Sequence, residues 1–228
     1  MSEPMRIALV GASGLVGRAV LQAARIRSGQ TLLALVRRPP DPALAAHACV
    51  RVAEPAAWAD IVAGFRPEAL ICALGTTWRK SGRSRAAFRA VDHDLVVDMA
   101  AAARRGGATC AVIVSAVGAD AASRSLYLKT KGQMERDLAR LEFPRLHFLR
   151  PGLLRGERLG DRRLKEGAAV SLSPVLDRLL PERLSRFRSI AADDVAVAAL
   201  TLCHDRATGV RVHHNAEIVR AACKTEES

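Results

Sequence analysis

The chain has a single tyrosine, Tyr127, and it stands four residues before Lys131 in the run Leu126-Tyr-Leu-Lys-Thr-Lys131. At that spacing on a helix the two side chains share one face. An ammonium group one turn away favours the phenolate, which lowers the phenol pKa from its ordinary value of about 10. A phenol tuned in this way can protonate an alkoxide as hydride arrives, or accept the proton in the reverse direction. Ser115, at the end of an apolar run, can hold a substrate carbonyl oxygen beside the phenol. Lys131 can also donate hydrogen bonds to a ribose. A solvated surface helix would account for the Tyr–Lys pair equally well if it stood alone.

It does not stand alone. Upstream, an apolar run enters Gly11-Ala-Ser-Gly14-Leu-Val-Gly17, a G-x-x-G-x-x-G loop between strand and helix signals. Gly11 permits a sharp turn, Gly14 lets backbone approach a pyrophosphate, and Gly17 lets the helix pack close to the sheet. The free N–H groups and partial positive charge of the helix N-terminus then suit phosphate. At the end of the next strand, where an NAD site places Asp or Glu, this chain has Arg37 and Arg38. Two guanidinium groups suit a 2′-phosphate. Asp41, beyond two prolines, is a poor substitute for the acid. The expected cofactor is therefore NADP(H), in preference to NAD(H).

Strand and helix signals alternate along the chain. Strands are expected at 6–10, 31–36, 49–52, 69–74, 110–114 and 145–149. Helices are expected at 15–26, 55–65, 84–105 and 126–141. Repeated β-α-β order implies an α/β fold, a single Rossmann-type doubly wound parallel sheet with helices on both faces. Ligands in such sheets lie beyond the carboxyl ends of the strands. The glycine loop, Gly75-Thr76-Thr77, Ser115 and Pro151-Gly152 all fall there. One domain of 1–228 is expected, with a cofactor-binding core at 1–152. An Arg-rich segment at 153–190, broken by Pro174 and Pro181, would cover the substrate. A C-terminal unit at 191–228 would hold a helix N-capped by Asp193 or Asp194 and a last strand at 210–218.

The bulk properties bound the function. A chain of 228 residues, half of them hydrophobic, can bury one substantial core. No run approaches the roughly 20 apolar residues needed to cross a bilayer. The net charge of +12 is spread along the chain, and no helix-turn-helix, zinc or stacking motif accompanies it, so a small-molecule substrate and no nucleic acid are expected. Monomer and homodimer both remain open. Five scattered cysteines without a C-x-x-C suggest reduced thiols and a cytoplasmic protein, with no metal site. His213-His214 lies on a strand that would point the two rings to opposite faces. Trp78 could floor a substrate pocket or simply pack.

Taken together, the chain resembles an atypical short-chain dehydrogenase/reductase, most similar to the Tat-interacting-protein-like branch. The likeness is carried by Gly11 to Gly17, Leu74-Gly-Thr-Thr77, Val91-Asp-His-Asp94, Ser115-Ala-Val-Gly-Ala-Asp120, Leu126 to Gly132 and Arg150-Pro-Gly152. It implies a catalytic set of Ser115, Tyr127 and Lys131. It also implies a cofactor site of Gly11, Ser13, Gly14, Leu15, Val16, Gly17, Arg37, Arg38, Gly75, Thr76, Pro151 and Gly152. Ser13 and Arg37 would approach the adenosine phosphate, and Pro151 and Gly152 would flank the nicotinamide. Two positions depart from the pattern. Asp92 stands near a usual Asn that holds a relay water, and Ala116 replaces a second serine, leaving Ser123 or Ser125 as substitutes. The resulting expectation is an NADPH-dependent reductase of a carbonyl or quinone-type molecule. The alternative is an NADP(H)-binding regulatory or partner-binding protein with little catalysis.

Overall fold

A computed structural model describes residues 3–42, 46–156 and 186–224. Its first strand, β1 (Met5–Val10), is buried on both sides. Ile7 and Leu9 enter one apolar core, while Ala8 and Val10 enter another. A strand apolar on both faces belongs in the middle of a parallel sheet covered by helices on both sides. The strands that join it are β2 (Gln30–Val36), β3 (Cys49–Val52), β4 (Ala69–Cys72), β5 (Cys110–Val114), β6 (Arg145–Leu149) and β9 (Gly209–His213). They form a seven-stranded sheet in the order β3-β2-β1-β4-β5-β6-β9, with every neighbouring pair parallel. The order reverses at β1 and β4, so a crevice opens between the ends of those strands. The expected Rossmann-type α/β fold is the fold found.

Helices α1 (Leu15–Ala24), α6 (Ala192–Cys203) and α7 (Asn215–Cys223) pack on one face. Helices α2 (Pro55–Phe65), α4 (Leu95–Arg105) and α5 (Leu126–Ala139) pack on the other. Two short strands, β7 (Leu154–Arg155) and β8 (Ile190–Ala191), pair in parallel beside the sheet. Most of the expected substrate-covering segment, with Pro174 and Pro181, lies outside the described residues.

Three local expectations are corrected. The helix read as continuous over 84–105 comprises α3 (Arg85–Arg89), a π segment at Ala90–Asp94, and α4. The Leu95 N–H reaches back to the Ala90 carbonyl, five residues away, so one extra residue is inserted into the turn. That insertion accompanies the inward placement of both Asp92 and His93, which are buried. Helix α6 is preceded by Ala191 at the capping position, and Asp193 and Asp194 sit in its first turn, where they complement the helix dipole. The last strand ends at His213. Chain direction changes because the His214 N–H donates to Glu217 Oε2 at 3.0 Å, starting α7 where the alternation of Val210 and Val212 had suggested more strand.

Candidate active site

The glycine loop does what its spacing demands. Gly11 has φ +87°, and a Cβ on it would press into the Ala73 and Leu74 backbone of the neighbouring crossover. At Gly17 a Cβ would collide with the Gly11 carbonyl oxygen. The loop closes through the Gly14 N–H, which donates to Gly11 O at 3.0 Å. Gly14 caps α1 without any side-chain bond to the helix amides, and no acidic residue stands in the first turn. The N-terminal residues of α1 thus border a cleft, with no acid in the helix's own first turn to satisfy their amides.

That cleft has a volume of about 1010 Å³. Its lining includes Ser13, Gly14, Leu15 and Val16, Gly75 and Thr76, and Ser115, Tyr127 and Lys131. The expected catalytic residues and the glycine loop therefore share one cavity. A second cleft of about 480 Å³ contains Ser13, Arg37 and Arg38, with Glu54 and Asp41 on its rim. Ser13 and Arg18 line both, so the two clefts adjoin there. Gly11, Gly17, Pro151 and Gly152 are not among the residues that line either cleft. The Gly152 N–H donates to Asn215 Oδ1 at 2.9 Å, and Asn215 Nδ2 donates to Arg188 O at 2.7 Å.

The candidate catalytic residues are more connected than the sequence suggested. Lys131 and Asp92 are both buried, with Nζ 3.2 Å from Oδ1. The other Asp92 oxygen accepts from the Thr76 N–H at 2.7 Å. One carboxylate therefore ties the α5 lysine to the loop after β4. This alters the expected effect of Lys131 on Tyr127. Although 43% of Tyr127 is accessible, burial of the rest is the largest influence, and it pushes the phenol pKa up. Lys131 pulls it down, and Asp92 pushes it back up. The net direction is upward, which corrects the expectation of a lowered pKa. The cation is held against a buried anion and cannot dominate.

Ser115 is buried, and its hydroxyl donates to Glu135 Oε1 at 2.5 Å. Glu135 in turn receives two bonds from Arg150, from Nε at 3.0 Å and from Nη2 at 2.5 Å. The serine proton is thereby committed, and its lone pairs remain to accept a hydrogen bond. Ser125 also lines the cleft, but its hydroxyl caps α5 by accepting from the Leu128 N–H.

Sequence reasoning passed over Arg18, Phe88 and Glu135. Arg18 was visible as the first residue after Gly17, one turn into the helix that follows the glycine loop. Phe88 carried an apolar helical pattern that read as core, and it is buried, yet its ring meets both Trp78 and Tyr127 at the cleft. Glu135 gave no signal, because its partners, Ser115 and Arg150, lie just beyond β5 and β6.

The HIM1 family matches residues 66–181. The chain is also 36% identical over 223 residues to "Protein FMP52, mitochondrial" of Eremothecium gossypii, covering 94% of this chain and 96% of that one. The chain belongs to the HIM1/FMP52 family. A second FMP52 relative, from Candida albicans and also named mitochondrial, is 35% identical and covers 72% of this chain and 73% of that one. The family found is thus HIM1/FMP52, and nothing in these likenesses confirms the Tat-interacting-protein-like branch. Among solved structures, the Bordetella bronchiseptica enzyme WbmG in complex with NAD superposes with a TM-score of 0.68 at 16% identity, covering 100% of this chain and 80% of that one. The dTDP-4-dehydrorhamnose reductase of Bacillus anthracis in complex with NADP gives 0.64 at 14%, covering 99% and 82%. At such identities these likenesses establish the fold of this HIM1-family chain.

The cytoplasmic expectation is overturned by the FMP52 relatives, which are named mitochondrial. The inference failed for a physical reason. Five free cysteines fit a reducing compartment, but several compartments are reducing. Among the described residues no helix is long and apolar enough to cross a membrane.

Proposed function

We propose that this HIM1-family chain is an NADP(H)-dependent oxidoreductase that reduces a carbonyl or quinone-type small molecule. The observation that carries the reading is the shared cavity, in which the α1 N-terminus and the Ser115–Tyr127–Lys131 set face one space. The residues present fit a dinucleotide. Unsatisfied helix amides and close glycine backbone suit a diphosphate, and the adjoining cleft with Arg37 and Arg38 suits a 2′-phosphate. That cleft also supports NADP(H) over NAD(H). The likeness to the Tat-interacting-protein-like branch rests on motifs alone, and the relatives' names support a mitochondrial setting.

When bound, NADPH supplies the hydride. The chain supplies everything else. Tyr127 gives its phenolic proton to the carbonyl oxygen as negative charge develops there. Ser115, its own hydrogen held by Glu135, accepts from the Tyr127 hydroxyl or from the new alcohol and fixes their positions. Lys131, anchored by Asp92, offers its remaining hydrogens to a ribose and favours the phenolate left behind. A raised phenol pKa keeps Tyr127 protonated at neutral pH, which suits reduction.

One observation favours the alternative of a cofactor-binding partner protein. The Ser115 proton is already committed to Glu135 and the Lys131 charge to Asp92. Fluorescence titration and turnover separate the two readings. Arg37→Ala with Arg38→Ala should weaken NADPH binding at least tenfold while sparing NADH; equal losses would remove the NADP(H) assignment. Tyr127→Phe should lower carbonyl reduction by at least a hundredfold with NADPH affinity retained. Unchanged turnover would refute the proton-donor role.

A further inference from the structure

Part of the main cleft's lining has a composition that the proposed cofactor does not account for. Three aromatic rings form a continuous wall there. Phe88 meets Tyr127 with ring centres 6.2 Å apart and planes at 65°. Trp78 meets Phe88 at 6.4 Å and 62°. Both are edge-to-face contacts, which hold the rings in fixed relative orientation. Phe88 is buried, whereas Trp78 and Tyr127 each leave 43% of their surface open to the cleft or solvent.

Besides Arg18 and Lys131, two cations line the same cavity, Lys80 and Arg85. Arg85 lies one helical turn before Phe88 on α3, on the same side of that helix. Neither side chain forms an ion pair among the described residues. The acid in the described lining is Asp92, which is buried and already matched to Lys131. Lys80 and Arg85 thus find no compensating acid among the described residues that line the cleft. The segment bearing it is built rather than loose. The Arg83 N–H donates to Trp78 O and the Ser81 N–H to Thr77 O, both at 3.0 Å. Thr77 Oγ1 accepts from the Lys80 N–H, and the Ser84 side chain caps α3. Trp78, Lys80 and Arg85 are therefore presented together before any ligand arrives.

We infer that the substrate is a planar aromatic or conjugated carbonyl bearing an anionic substituent such as a carboxylate. Its ring lies against the Trp78–Phe88–Tyr127 wall, its anion faces Lys80 and Arg85, and its carbonyl oxygen meets the Tyr127 hydroxyl. The assignment of the carbonyl end rests on the oxidoreductase reading. The aromatic and anionic ends rest on the cleft alone. The reaction balances as hydride from NADPH to the carbonyl carbon and a proton from Tyr127 to oxygen, giving the alcohol and NADP⁺.

The test uses matched probes. Turnover of 4-carboxybenzaldehyde is compared with that of its methyl ester, which keeps the ring and carbonyl and loses the charge. The acid should have at least a tenfold higher kcat/KM. Lys80→Gln with Arg85→Gln should remove that preference while leaving the ester within twofold and NADPH affinity unchanged. Binding is read separately on the full chain, through quenching of Trp78 emission by 4-carboxybenzyl alcohol and its methyl ester, with Trp78→Phe as control. The acid should bind at least tenfold more tightly, and added salt should erase the difference. Preferential binding of the acid without turnover of either aldehyde would sustain the site and remove the oxidoreductase reading. Turnover with no preference for the acid, or a loss of NADPH affinity equal to the loss of acid preference, would overturn the site.

Discussion

Replacing Asp92 with Asn isolates one charge at the junction of α5 and the cofactor-side loop. The side chain keeps its shape, and an amide oxygen can still accept from the Thr76 N–H. What disappears is the anion 3.2 Å from Lys131 Nζ. Two unit charges at that distance attract by about 5 kcal/mol at an effective dielectric of about 20. Asp92 and Lys131 are 1% and 3% exposed, so solvent screening takes little of this. Breaking a buried pair from one side typically costs about 3–5 kcal/mol, because a charge is left without its partner. The surviving amide contacts place Asp92→Asn at the low end, about 3 kcal/mol, readable as a lower urea midpoint by circular dichroism. The second consequence is chemical. Asp92 raises the Tyr127 pKa and Lys131 lowers it. Without Asp92 the phenol pKa falls, because a nearby negative charge that disfavours the phenolate is gone. Reduction needs the protonated phenol, so kcat/KM declines as pH rises through that pKa. The alkaline limb of the profile should therefore move to lower pH in the variant. An alkaline limb that stays put or moves upward would refute the electrostatic reasoning, as would stability equal to the unmodified protein.

Two further perturbations probe the frame. Gly17→Ala drives a methyl into the Gly11 carbonyl and should lose about 1–3 kcal/mol together with NADPH affinity, whereas Gly64→Ala has open space within α2 and should be neutral or gain about 0.5 kcal/mol; chemical denaturation of both variants compares them directly. Burial, reinforced by His147 whose Nδ1 is 3.0 Å from its Nε2, depresses the His213 pKa from 6.5 to about 4. The neutral ring is favoured in the folded state, so its contribution is complete above pH 6.5 and is lost as pH falls toward 4. A half-buried ring should yield about 1–2 kcal/mol of acid-side slope, and His213→Asn should flatten that part of the stability–pH curve.

Legibility in the sequence followed the range of the interactions. The sheet was readable because a doubly buried parallel strand needs only local composition, as in Ile7 to Val10 and Cys110 to Val114. The glycine loop was readable because close backbone approach admits few residue types at Gly11 and Gly17. Tyr127 and Lys131 were readable as a pair because one helix turn separates them. The properties of that pair were not, since they depend on Asp92, which lies 39 residues before Lys131 and turns inward in a π segment. No periodicity of apolar residues announces a π turn, because Val91, Leu95, Val96 and Met99 fit an unbroken helix equally well. The charge on Ser115's partner, Glu135, was hidden in the same way. An acid on the face of an amphipathic helix reads as solvated until the fold brings Arg150 against it. Local patterning singled out the candidate groups, whereas long-range partners set their protonation: burial and Asp92 favour the neutral phenol of Tyr127, and Glu135 leaves Ser115 an acceptor.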